Sequence, residues 1–219
     1  MPQTAVKSAW EKPERLSLPQ SAPLPISSPA VMRIILIRHG QPHIALRPKT
    51  GHGGFAGYID DYEAAGLDPA NLPPAELQEL VGEIDSVFTS GRPRSQQSAA
   101  ALAPHASLIA DPLFVEAPLA SPPIPLLTMR VAGWAVVSRI LWHLGFTPGI
   151  ENYRDARRRA DQAADILTAR AREAGSAVLV AHGYFNWMIG RRLKKRGFVR
   201  TGTHQARYWN TVIYEKRDD

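Results

Sequence analysis

The chain has 219 residues, of which 44% are hydrophobic and 21% charged, with a formal net charge of +6 and no cysteine. That length and balance suit one soluble domain with a sizeable core, and the missing cysteines exclude disulfides and thiolate metal sites and fit a reducing, cytoplasmic compartment. No apolar run is long enough to span a bilayer, and His43, His52, His105, His143 and His204 lack HExxH-like spacing, so neither a metal nor another cofactor is expected.

Residues 1–31 differ in character from the rest. Pro13, Pro19, Pro23, Pro25 and Pro29 alternate with Ser, Gln and Ala, which suits a flexible extended tail and lacks the continuous apolar stretch of a secretory signal. The folded domain is expected over 32–219, with Met32 just before the first strand as a second candidate start. That strand is the apolar run Ile34-Ile35-Leu36-Ile37, which opens into Arg38-His39-Gly40. Gln41 to Pro74 is punctuated by Gly51, Gly53, Gly54 and Gly57 and reads as a long loop with short helical pieces, the kind of segment that is usually functional in a compact domain. His43 in this loop is a candidate substrate contact. Residues 74–84 read as a short helix.

A second strand, Ser86 to Thr89, passes through Ser90-Gly91-Arg92 into a helix from Pro93 to about Ala103, where proline suits the first turn because its missing N–H has no partner to lose. Residues 128–146 place Val131, Trp134, Val137, Ile140, Leu141 and Leu144 at mostly helical spacing. This apolar helical insertion reads first as core packing, with a lid over an apolar leaving group or a homodimer face as alternatives. A lid would make Trp134→Ala or Trp142→Ala alter substrate preference more than stability. A long charged helix follows from Asn152 to Ala174, mostly a solvated face and ended by Gly175.

The third strand, Ala177 to Ala181, stops at His182-Gly183, and the next helix starts near Tyr184. Its N-terminal amides would face an anion pocket, with Asn186 a candidate polar contact one turn in. The basic run Arg191, Arg192, Lys194, Lys195, Arg196 and Arg200 complements that helix's dipole. No nucleic-acid module or interleaved aromatics accompany it, so nucleic acid is not an expected partner. Tyr208 to Glu215 reads as the final strand.

Three strand ends thus deliver an arginine or a histidine. A neutral imidazole is a competent nucleophile, and a guanidinium beside it can hold the oxygens of a phosphoryl group under attack. In an open α/β sheet, ligands bind outside the carboxyl ends of the strands, which lets Arg38, His39, Arg94 and His182 converge from distant parts of the sequence.

Taken in order, Arg38-His39-Gly40, the block from Ser90 to Ala99 and Ala181-His182-Gly183 resemble the three motifs of the histidine phosphatase superfamily, in its phosphoglycerate-mutase-like branch. The resemblance implies a three-layer α/β/α sandwich around a mostly parallel sheet. It also implies a metal-independent phosphomonoesterase that acts on a small phosphorylated substrate through phosphohistidine on His39, with Arg38, Arg94 and His182 holding phosphate. The looser block Asp111-Pro112-Leu113-Phe114-Val115-Glu116 resembles the segment carrying the family's acid, which assigns that role to Glu116 with Asp111 as the alternative.

Two departures stand out. Ala117 to Pro125 replaces the glycine and the tryptophan-glutamate-glycine run that often follow the family's glutamate, and Gly91 and Arg92 stand where proline and leucine are usual. Arg94 aligns with the phosphate-binding arginine, leaving Arg92 as an extra substrate contact or a solvated loop residue. A mutase-type phosphotransferase and a phosphate- or phosphoprotein-binding module without turnover are the alternative functions.

Overall fold

The computed structural model describes residues 31–45 and 49–217. The proline-rich tail expected over 1–31 lies outside the described residues, except for Val31. Six strands form one sheet: β1 (Val31–Arg38), β2 (Ser86–Thr89), β3 (Ser107–Ala110), β4 (Ser176–Ala181), β5 (Val199–Thr201) and β6 (Thr211–Arg217), in the order β3-β2-β4-β1-β6-β5. The pairs β2–β3, β2–β4 and β1–β4 are parallel, whereas β6 runs antiparallel to both β1 and β5. The sheet is therefore mostly parallel, with β6 alone reversed.

Among the described residues, six helices cover it: α1 (His52–Ala64), α2 (Ala75–Val81), α3 (Pro93–Leu102), α4 (Val131–His143), α5 (Tyr153–Ala174) and α6 (Gly183–Lys195). Because side chains alternate along a strand, β1 sends Ile34 and Leu36 to the face covered by α5 and α6, and Ile35 and Ile37 to the face covered by α2 and α3. Strands buried on both faces read as unbroken apolar runs, which is why Ile34–Ile37 and Ala177–Ala181 stand out in the sequence. The buried face of α5 is a stripe of alanines with Leu167, so this charged helix lies close against the sheet. Where α5 meets the end of α6, Arg196 pairs with Asp161 and Asp165, which neutralises part of the basic run.

Several boundaries differ from the sequence reading. Met32 lies inside β1, and the last strand begins at Thr211. The strands β3 and β5, four and three residues long and exposed along their length, carry little apolar pattern. The larger difference is α1, a 13-residue helix where glycines pointed to loop. Phe55 is buried there and stacks on Trp134 of α4, with ring centroids 5.8 Å apart. A Cβ on Gly54 would lie 1.8 Å from Oγ1 of Thr50. Close approach, and not a chain reversal, explains that glycine, and tertiary packing overrides low helix propensity.

Trp134 and Trp142 are also buried. Their indole N–H groups donate to the carbonyls of Thr50 and Glu151, each at 2.7 Å. Both tryptophans are core residues, in line with the first reading of this segment as core packing. No helix among the described residues is long and apolar enough to cross a membrane.

Candidate active site

The parallel register of β1 and β4 pairs Arg38 with Ala181, so the next residue on each strand, His39 and His182, leaves the sheet at the same level. The His39 amide donates to the Ala181 carbonyl at 2.8 Å, and the two imidazoles lie 5.2 Å apart, edge to face. Two serines of α3 tie the strand ends together. The Ser95 hydroxyl donates to the Val180 carbonyl (2.6 Å) and accepts from the Ser90 amide (3.1 Å), while the Ser98 hydroxyl accepts from the Gly40 amide (2.9 Å). With no long side chain at these positions, α3 sits against the strand ends and buries Arg94 completely.

The partners fix both histidine tautomers. Nδ1 of His39 lies 2.7 Å from the Gly40 carbonyl, which only accepts, and its Nε2 lies 3.3 Å from Nε of Arg94, which only donates. The proton is thus on Nδ1, and the lone pair on Nε2 faces the guanidinium. His182 is the reverse: Nδ1 faces Nη2 of Arg94 at 3.5 Å, and Nε2 donates to the Ser90 hydroxyl at 2.7 Å. Burial holds both imidazoles well below the ordinary histidine pKa; Arg94 adds to this at His39, and His39 and then Arg94 add to it at His182.

Arg38 lies over the Tyr208 ring, 4.6 Å from its centroid, with Nη1 donating to the Ala206 carbonyl and its buried Nε unpartnered. A Cβ on Gly183 would come within 3.2 Å of the Arg38 side chain; the glycine leaves room for the arginine at the start of α6. Arg94 is more fully engaged. Its Nη1 donates to the Tyr62 carbonyl (2.7 Å), and its Nη2 meets Oε1 of Glu63 (3.0 Å). The other carboxylate oxygen of Glu63 lies 2.6 Å from Nε of Arg92. One carboxylate from α1 therefore bridges two cations.

A cavity of about 930 Å³ opens beside this cluster. Arg38, Tyr62, Glu63, Arg92, Glu116 and Tyr208 are among its lining residues, and the buried His39, Arg94 and His182 are not. The rings of Tyr62 and Tyr208 stand 6.3 and 6.0 Å from the His39 ring. Burial pushes the Tyr62 phenol up to about 12, so it is a neutral donor at physiological pH. Glu116 accepts from the first amides of α6, those of Tyr184 (3.2 Å) and Phe185 (2.8 Å), a position favoured by the helix dipole.

The other sequence candidates lie elsewhere. Asp111 accepts from the Leu113 amide at 2.8 Å and caps a short 3-10 turn, Pro112–Phe114. Asn186 is buried and donates to the Ile37 carbonyl at 3.0 Å, bracing β1 against α6 outside the cavity wall. His43 is exposed and does not line the cavity. Sequence reasoning passed over Glu63, Tyr62 and Tyr208, since only the folded positions of α1 and of the turn before β6 bring them to the strand ends.

Two buried imidazoles, of His39 and His182, and the guanidiniums of Arg38 and Arg94 thus gather at the carboxyl ends of a mostly parallel sheet. A family model of the histidine phosphatase superfamily (branch 1) matches residues 34–216, and the chain belongs to that superfamily. It is accordingly a phosphatase or mutase-type enzyme of phosphoester chemistry. No curated protein sequence gives a significant match. Similar solved structures include a mycobacterial hydrolase (17% identity, TM-score 0.56, 84% of this chain and 91% of that one). Two others are a phosphoserine phosphatase from Entamoeba histolytica with 3-phosphoglyceric acid (14%, 0.51, 83% and 89%) and the ecdysone phosphate phosphatase of Bombix mori with tungstate (15%, 0.50, 83% and 88%). At these identities the likeness is one of fold.

Proposed function

We propose that the protein is a metal-independent phosphomonoesterase that works through phosphohistidine on His39. The observation that carries this reading is the bond from Nδ1–H of His39 to the Gly40 carbonyl, which leaves the Nε2 lone pair as the nucleophile next to the Arg94 guanidinium. In the first step Nε2 attacks phosphorus, the ester P–O bond breaks, and Glu116 as a carboxylic acid gives its proton to the departing alkoxide. In the second, the Glu116 carboxylate takes a proton from water, the hydroxide attacks phosphorus, and the P–N bond breaks to return free His39 and phosphate.

The phosphoryl oxygens take the place of the Glu63 carboxylate on Arg92 and Arg94 and reach the free Nε of Arg38, while His182, whose Nε2–H is taken by Ser90, holds Arg94 through Nδ1. Such preorganised charge is usually the largest catalytic contribution. The open cavity beside the site admits water and favours hydrolysis over transfer to a second alcohol. The cysteine-free composition supports a cytoplasmic setting.

The test incubates wild type and His39→Ala with a panel of phosphomonoesters in the presence of chelator, following phosphate release and acid-labile phosphoenzyme. Release and phosphoenzyme both lost in His39→Ala is the expected result. Undiminished release by the variant would reject the mechanism.

A further inference from the structure

The cavity extends well past the proposed phosphate site, between α1 and α4. At about 930 Å³ it lies near the top of the range of about 300–1,000 Å³ found for sites that enclose drug-sized ligands. Beyond Arg38 and Arg92 its wall turns apolar: Phe55 and Ile59 from α1, Val131 and Ala135 from α4, and Leu119 from the segment after Glu116.

Of the charged groups that face this half, Arg139 and Arg159 are already paired within the protein, and Asp60 sits at the solvent-exposed rim. Arg159 binds both oxygens of Glu151 (2.9 and 2.7 Å) and the carbonyls of Leu113 and Val115 (2.8 and 2.7 Å). Arg139 donates to the carbonyls of Ala117 (2.9 Å) and Pro118 (3.2 Å) and lies 4.1 Å from the centroid of the Tyr184 ring. A sugar or nucleotide hydroxyl placed against the wall of Phe55, Ile59, Leu119, Val131 and Ala135 would lose water without regaining a partner, a cost of about 1–3 kcal/mol for each unpaired group. An apolar group would gain by burial.

We infer that this apolar chamber receives the leaving group, and that the substrates are phosphate monoesters of bulky, uncharged, largely apolar alcohols. The inference rests on the phosphomonoesterase reading and adds to it the substrate class. The segment after Glu116 is part of the device: it departs from the family pattern, and Ala117, Pro118 and Leu119 form chamber wall. Small side chains at Ala132 and Ala135 leave the space open on the α4 side.

Wild-type protein is assayed with 2-(1-naphthyl)ethyl phosphate, ethyl phosphate and glycerol phosphate, esters of primary alcohols, so that leaving-group acidity differs little. The expected result is a kcat/KM for the naphthyl ester about tenfold or more above either small ester. Ala135→Trp, checked for folding by its melting temperature, should shrink that ratio towards one. Equal or reversed preference in wild type would overturn the substrate class while leaving the phosphatase reading intact. If no ester is hydrolysed, that reading fails, and calorimetry decides the chamber separately. Tighter binding of 2-(1-naphthyl)ethylphosphonate than of ethylphosphonate supports it, and equal affinity overturns it.

Discussion

The carboxylate of Glu63 lies 3.0 Å from Nη2 of Arg94 and 2.6 Å from Nε of Arg92, and so stands on the two guanidiniums that the proposed reaction gives to phosphate. Glu63 is one-third exposed, which limits what this contact contributes. Glu63→Gln should bind inorganic phosphate about fivefold more tightly than wild type, as measured by calorimetry. Unchanged or weaker binding would mean that the carboxylate does not compete with the anion.

His39→Ala should lower kcat by about 10³-fold or more, as expected when a covalent nucleophile is removed. Ser90→Ala acts differently, because the Ser90 hydroxyl accepts from His182 Nε2 and the Arg92 amide, not from His39. That variant should keep its phosphoenzyme and lose about tenfold in kcat. If Ser90→Ala matched His39→Ala in both readouts, the separation of roles would collapse.

The two histidines also govern the acid side of stability. Both have pKa values depressed in the folded state, so below about 6.5 the unfolded chain binds protons that the native state refuses. Their contribution is fully present above that pH and is lost as pH falls, with a slope of up to about 1.4 kcal/mol per pH unit for each histidine. Melting temperatures of wild type and His182→Gln between pH 5 and 8 test this. The variant should show the shallower acid slope, and parallel curves would contradict it.

Trp134→Ala should cost about 3–5 kcal/mol of stability, the usual range for removing a fully buried tryptophan. The loss would be read by denaturant unfolding. A variant as stable as wild type but changed in substrate preference would return the tryptophan to the role of a lid.

How much of this was legible in the sequence follows from burial. Strands β1, β2 and β4 are covered on both faces and so read as apolar runs, and their ends carry the arginine and histidines that mark the site. The register that sets His39 against His182 is a consequence of β1 pairing with β4, which no local pattern encodes. Glycine is ambiguous in the same way: Gly51 to Gly57 suggest a loop, yet Gly54 admits Thr50 and lets α1 form. Glu63 and Tyr62 could be found only after that helix was known. Asn186 shows the converse, since a polar residue at the start of α6 braces β1 and does not reach the cavity.

The two central histidines are separated by more than half the chain, and the hydrogen bond from the His39 amide to Ala181 forms only when the fourth strand has arrived beside the first. Contacts of such sequence separation close late, because the intervening loop entropy must be met before they give any return. During synthesis His39 therefore leaves the ribosome long before His182, and the pair forms only once β4 lies beside β1. The meeting of His39 and His182 on paired strands therefore requires a chain that extends through β4 to residue 182.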